Sequence, residues 1–193
     1  NEEIFRQASI DIKNNFEFGI DTIGIQQHNI DTMLWRHWIV SFAVRFTMKF
    51  SNTTDYNFVE CGVGEGISSF FALREILGNT KVNKNYLMHF YDSWDAMRKE
   101  DLSSNEISKT NSYSNLNIDT VKKNLLEFKN NIIYHVGFIP ESFNCKPNSP
   151  NSIIYLHIDL NSKKATLDSL HFFYDRLVSG GIILFDDYGW MEY

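Results

Sequence analysis

The chain has 193 residues, 43% of them hydrophobic and 15% aromatic, with a formal net charge of −6. That length carries one real core and fits a single α/β-sized unit, while the acidic balance without a basic stripe argues against a nucleic-acid partner. Cys61 and Cys145 lie far apart in unrelated contexts, so no disulfide framework is expected and a reducing, cytoplasmic compartment is the simplest setting.

Residues 1–30 read as polar and irregular, with weak helical tendency around Glu2–Ser9. Asp31 then reads as an N-cap. Behind it Trp35, Trp38, Ile39, Phe42, Ala43 and Phe46 recur at helical spacing, the pattern of a core-facing stripe. Arg36 and His37 fall off that stripe and face either a cleft or solvent. The apolar stretch Met33–Phe50 is interrupted by Arg36, His37, Arg45 and Lys49, too often for a bilayer span, so no membrane partner is expected. Residues 1–50 are read as an N-terminal helical extension, and 51–193 as the ligand-binding core.

Asn52–Asp55 is a turn cluster. Asn57–Ser68 follows as an apolar run, a glutamate, a glycine-rich turn and the start of a helix over Ser68–Leu77, closed by Gly78. Tyr86–Tyr91 is a second strand, ending in Asp92, Ser93, Trp94 and Asp95. The polar Lys99–Tyr113 stretch reads as a surface loop or lid. A helix over Asp119–Phe128, with Val121, Leu125 and Phe128 inward, leads to a third strand at Ile132–Val136 and then Gly137 and Phe138. Ile153–Leu160 is the fourth strand and contains Asp159. A helix over Ala165–Leu177 is closed by Ser179, Gly180 and Gly181, and a fifth strand, Ile182–Phe185, ends in Asp186 and Asp187. Strands alternating with helices predict an α/β fold whose mostly parallel sheet is covered on both faces.

A strand that ends in glycines and turns into a helix brings bare backbone N–H groups close to a ligand. In an open α/β sheet that is where small molecules bind. The dinucleotide fingerprint wants G-x-G-x-x-G and an acid about 20 positions on. Here the glycines are Gly62, Gly64 and Gly66, the third required position is Ile67, and Asp92 comes late. Glu60, just before the first glycine, repels a pyrophosphate and attracts an ammonium or sulfonium. S-adenosylmethionine carries both cations, and its ribose diol suits Asp92. It is therefore favoured over NAD, and an NAD-binding oxidoreductase is the disfavoured alternative. No Gly-Lys-Ser/Thr follows the glycines, which excludes a P-loop.

The ordered set Leu156-His157-Ile158-Asp159, Thr166-Leu167-Asp168-Ser169-Leu170, Arg176-Leu177-Val178-Ser179-Gly180-Gly181 and Asp186-Asp187-Tyr188-Gly189 is more specific. It resembles the class I methyltransferases of the macrocin O-methyltransferase type, which modify sugars on antibiotics. The resemblance runs from Phe58 to Trp190, apart from the 95–120 loop. Glu60, Gly62, Val63, Gly66 and Ser68 match that family's Glu-x-Gly-Val-x-x-Gly-x-Ser segment. Asp92 and Ser93 match its Asp-Ser-Phe, with Trp94 in place of the phenylalanine.

The resemblance implies a Rossmann-like, doubly wound sheet and a magnesium-dependent O-methylation of a sugar-like or other small-molecule hydroxyl. Cofactor contacts are then expected at Glu60, Cys61, Gly62, Gly64, Gly66, Ser68, Asp92, Ser93 and Phe138, the last against adenine, with Trp94 a second candidate. Asp159, Asp186 and Asp187 fall at the carboxyl ends of the fourth and fifth strands, on the cofactor's rim. Three crowded carboxylates repel one another unless a cation sits between them, and few hard oxygens suit Mg²⁺. The plainer alternative is that Asp186 and Asp187 cap a turn.

The family often has a second aspartate two residues after the metal-binding one, as general base. This chain has Asn161, which takes no proton. The base is then His157, another carboxylate or a metal-bound hydroxide, or the acceptor needs none. Asp159, Asn161 and His157 are the candidate catalytic residues, and Asn161 leaves room for a degenerate domain that binds cofactor without turnover. Tyr188 and Trp190 are candidates to line the acceptor site. The class usually carries two further strands, so the apolar fifth strand would be an open edge. The natural chain is expected to be longer, or a second copy to cover that edge or the N-terminal helix.

Overall fold

The computed structural model describes residues 2–18, 30–79 and 85–189. Five short runs rich in β-branched and aromatic residues form β1 (Tyr56–Cys61), β2 (Tyr86–Asp92), β3 (Ile132–Val136), β4 (Ile153–Ile158) and β5 (Leu177–Phe185). All neighbouring pairs are parallel, in the order β3-β2-β1-β4-β5. Every residue of β4 is buried, as expected for a parallel strand covered on both faces. The strand order reverses between β1 and β4, and such a reversal opens a ligand crevice beyond the carboxyl ends. Cys61 pairs with both Tyr91 and Ile158, so Gly62, Asp92 and Asp159 come side by side at that crevice.

One face of the sheet carries α1 (Glu2–Asn15), α2 (Leu34–Phe50), α3 (Ile67–Leu77) and α4 (Ile118–Asn124). Their buried residues, among them Ile12, Val44, Phe70 and Leu125, join Phe58 and Met88 in one cluster. The opposite face is covered by α5 (Lys163–Phe173) and the Glu141–Asn144 turn, through Phe173 and Phe143 against Tyr91 and Leu156. No helix among the described residues is long and apolar enough to cross a membrane.

Several expectations need correction. The first helix runs to Asn15, because Ala8 and Ile12 are buried in the cluster. Asp31 lies in a one-turn 3₁₀ segment and pairs with Lys13 instead of capping α2. The aromatic stripe of α2 points the other way. Trp35, Trp38, Phe42 and Phe46 are exposed, whereas His37, Val40, Val44, Thr47 and Met48 face the core. The helix is apolar on nearly every side, so periodicity alone could not choose the face. Small and β-branched residues are the ones that let it lie close over the sheet, where the Thr47 hydroxyl donates to the Ile154 carbonyl. Met48→Ala should therefore cost about 2–5 kcal/mol, and Phe42→Ser no more than about 0.5 kcal/mol, by urea unfolding.

The paired glycines, read as a helix stop, lie inside β5, which begins at Leu177. A Cβ on Gly180 would meet the Phe50 carbonyl oxygen at 2.3 Å. That glycine lets the end of α2 touch the strand. Lys99–Tyr113 is anchored, not loose. Buried Glu106 accepts from Ser103 N (2.8 Å) and Lys163 N (2.7 Å), which fixes the segment to the start of α5.

Candidate functional site

A cavity of about 300 Å³ opens at the β1/β4 crevice. One end is the glycine turn, with Gly62 and Gly64 on its wall together with Glu60 and Ser68. Asp92, Ser93 and Phe138 form a second wall. Asp159, Asn161, Asp186 and Asp187 line the same cavity as an acid rim beside the turn. Of the residues expected at the site, Cys61, Gly66 and His157 are not on the cavity surface. The Cys61 side chain points to the opposite face of the sheet, among the Tyr91 and Leu156 cluster, and burial pushes its thiol up. Strand alternation explains this: Glu60 faces the cavity, so its neighbour cannot. Gly66 starts α3 with φ +86° against Leu125.

Gly62 has φ +83°, and a Cβ there would lie 1.8 Å from the Asp159 carbonyl oxygen. Gly64 has φ +55° and nothing within 4 Å on its Cβ side, so its backbone is open to a ligand. Asp92 stabilises this turn. One oxygen accepts from Val63 N (2.7 Å) and Gly64 N (3.0 Å), and the other from Trp94 N (2.8 Å). Two N–H groups that a pyrophosphate would use are thus already taken by a carboxylate. Trp94 is buried and its indole N–H donates to Gly64 O (3.0 Å), so it braces the turn and does not line the cavity. Phe138 does line it, with the Arg98 guanidinium 3.8 Å from its ring centre. Arg98 in turn reaches Asp101 (2.7 Å) and Glu141 (3.0 Å).

The oxygens of Glu60 are buried and engaged, one by the Ser69 hydroxyl and one by His157 Nδ1 at 3.1 Å. His157 Nε2 lies 3.9 Å from Asp186. Burial would lower this imidazole's pKa, but Asp186 and Glu60 outweigh it and raise it to about 10. His157 is buried, lies off the cavity surface and is held between Glu60 and Asp186, so it links the glutamate of the turn to the acid rim.

At the rim, Arg36 Nε donates to Asp186 Oδ1 at 2.6 Å, and Arg36 Nη2 pairs with Asp159. Burial raises the pKa of Asp159 despite Arg36, and Asp186 pushes it further up. For Asp186, burial acts upward too, but His157 and Arg36 hold its carboxyl below the ordinary value. Asp187 accepts from Asn161 N at 3.2 Å. Asn161 has φ +55°, a left-handed conformation that asparagine and aspartate tolerate better than other side chains. Among the described residues, His157, Asp159 and Asp186 offer donor atoms within 4.8 Å of one another. The two carboxylates suit a hard divalent cation, the imidazole suits it less, and Arg36 holds one oxygen of each carboxylate. Tyr188 is exposed, and Trp190 lies outside the described residues.

Sequence reasoning missed Arg98, Met97, Leu116 and Tyr113 on the cavity wall and left Arg36 and His37 undecided. His37 stacks on Phe71 at 4.8 Å and meets Ser68 Oγ at 3.3 Å. Burial first, then the charge of Arg36, lowers its pKa to about 3. His89 and His135, joined at 3.0 Å beneath β2 and β3, are lowered by burial to about 4. These three accept protons in the unfolded chain near pH 6.5 but in the folded one only near pH 3–4. Their stabilisation is complete above pH 6.5 and is lost as pH falls through the folded values. His157 acts in the opposite sense, its contribution fading as pH rises through about 10. Melting temperature should drop on acidification from pH 6.5 to pH 4. His135→Phe, whose ring can keep the stack on Tyr91, should flatten that slope.

The comparisons with known proteins agree with this geometry. A family profile described as Macrocin-O-methyltransferase (TylF) matches residues 29–193. The solved O-methyltransferase NovP is similar in fold, with a TM-score of 0.67 and 17% identity over 80% of this chain. The chain spans 65% of the length of that structure. CalS11, a calicheamicin methyltransferase, gives a TM-score of 0.63 and 12% identity over 97% of this chain and 78% of its own. No curated protein matches the chain.

Proposed function

Because the chain belongs to the macrocin-O-methyltransferase family, we propose that it transfers a methyl group from S-adenosylmethionine to a hydroxyl of a sugar or similar polyhydroxylated small molecule, with magnesium assistance. One observation carries the reading. One cavity is lined both by the open glycine turn and by a cluster of carboxylates, so donor and acceptor sites can share one chamber.

Bound S-adenosylmethionine would supply an electrophilic methyl on a sulfonium. The open backbone at Gly64 admits the cofactor, Glu60 contributes negative potential next to its cationic end, and Phe138 offers an apolar face to its base. Mg²⁺, held by Asp159, Asp186 and Asp187, would supply Lewis acidity toward the acceptor oxygen. Asn161 takes no proton and cannot serve as the acceptor's base. Tyr113, whose phenol is pushed up to about 12 by burial and by Asp159 and Asp187, stays neutral and can donate to a substrate oxygen.

The NAD alternative is weakened by Asp92, which occupies N–H groups of the turn, and by Glu60. A second reading, a domain that binds cofactor without turnover, is favoured by Arg36 seated on the rim carboxylates beside Asn161. Calorimetric titration with S-adenosylhomocysteine, NAD and Mg²⁺ tests all three. The expected result is S-adenosylhomocysteine binding without NAD binding; a protein that ignores S-adenosylhomocysteine is not a methyltransferase of this kind. Methyl transfer to any glycosylated acceptor separates the active reading from the degenerate one.

A further inference from the structure

The acid rim already contains a cation. Arg36 projects from the first turn of α2 into the cavity wall and reaches carboxylates on the ends of two adjacent strands, Asp159 after β4 and Asp186 after β5. Its side chain is 17% exposed, and those of Asp159 and Asp186 are 20% and 15% exposed. Carboxylates this buried and this close destabilise one another unless a positive charge lies between them.

We infer that Arg36 is the resident counter-cation of the rim, and that a divalent metal ion gains Asp159 and Asp186 only by displacing it. The inference rests on the metal-assisted reading above and adds a competitor built into the chain. Arg36 takes Asp186 Oδ1 through Nε and Asp159 Oδ2 through Nη2, and the donor atoms of His157, Asp159 and Asp186 lie within 4.8 Å of one another. A guanidinium seated on one oxygen of each carboxylate and a dication bound to the same two carboxylates repel each other at contact distance, so each disfavours the other. The Arg36 backbone is fixed, since the neighbouring His37 is buried on Phe71 and Ser68. The long side chain borders the cavity, which gives it somewhere to go once its two ion pairs break. Asp187 is the less encumbered carboxylate of the rim: Asn161 N is its hydrogen-bond donor and Arg36 does not reach it. It offers an arriving metal a first foothold.

Metal binding and Arg36 withdrawal are then one event. The side chain released from Asp159 and Asp186 points into the chamber where the acceptor sits, so metal loading also changes that chamber's charge and shape.

The test is calorimetric titration of Mg²⁺ and Mn²⁺ into the wild type, Arg36→Met and Arg36→Lys. Melting temperature with and without metal, and S-adenosylhomocysteine binding, are read on each protein. Removing a charge-assisted competitor should tighten metal binding by about tenfold or more in Arg36→Met. The same variant should melt lower without metal and gain more on metal addition than the wild type. Arg36→Lys, which keeps the charge but cannot bridge two carboxylates, should fall between the two. Equal or weaker metal affinity in Arg36→Met, with S-adenosylhomocysteine still bound, overturns the inference. If Arg36→Met does not fold without metal, Arg36→Lys decides, and an affinity equal to wild type overturns it. If no protein binds metal while all bind S-adenosylhomocysteine, both this inference and the metal half of the proposed function fall, and methyl transfer stands. If none binds S-adenosylhomocysteine, the proposed function falls, and the metal titration still decides the role of Arg36.

Discussion

Replacing Asp186 and Asp187 together by asparagine should lower methyl transfer by more than about 10³-fold while S-adenosylhomocysteine affinity stays within about twofold. The two halves of the cavity explain the split. The cofactor contacts proposed above come from the glycine turn and the ends of β1 and β2, whereas both aspartates follow β5. The substitution keeps shape and removes two negative charges. It takes from Arg36 its 2.6 Å partner and from His157 one of the carboxylates that raise its pKa. Without Asp186, the His157 pKa should fall, because only Glu60 and Asp159 then oppose burial. Release of S-adenosylhomocysteine from a panel of glycosylated acceptors, compared with the wild type, measures the loss. Turnover that survives the double substitution would show that the rim carboxylates only shape the turn.

Most of the architecture was legible because parallel strands buried on both faces are conspicuous. β2 and β3 fall within a residue of their expected limits, and β4 starts where expected and ends two residues earlier. The topological switch followed from alternating strands and helices, and with it the grouping of Gly62, Asp92 and Asp159. What sequence could not convey was facing. In α2 nearly every side is apolar, so the wide aromatics looked like the core stripe although the narrow residues are the ones that fit against the sheet. The same uncertainty concealed Arg36. A single arginine in an apolar helix has no partner in its own segment, and its partners stand 123 and 150 positions away. The demand for a cation among three carboxylates was readable from charge alone. That the chain itself can meet it was not. Asn161 similarly looked like a lost base, but its φ of +55° shows that the backbone also restricts which residues fit there.

Gly62→Ala should be the most damaging alanine substitution among the described glycines, costing more than about 3 kcal/mol or leaving the protein insoluble. Two independent costs add. The residue sits at φ +83°, where an alanine pays about 1–2 kcal/mol. Its Cβ would also stand 1.8 Å from the Asp159 carbonyl oxygen, a backbone atom that cannot rotate aside. Relief requires β1 and β4 to separate at their carboxyl ends, where Asp159 N donates to Cys61 O at 2.8 Å. Gly64→Ala provides the contrast within the same turn. Its φ of +55° carries a similar backbone cost, but no atom lies within 4 Å of the new methyl. That variant should fold, lose about 1–2 kcal/mol in urea unfolding, and bind S-adenosylhomocysteine at least about tenfold more weakly. The pair separates two reasons for a glycine: one lets two strands meet, and the other leaves room for a ligand. If Gly64→Ala bound S-adenosylhomocysteine as well as the wild type, the cofactor would not approach this turn, and the cradle would have to be sought elsewhere on the cavity wall.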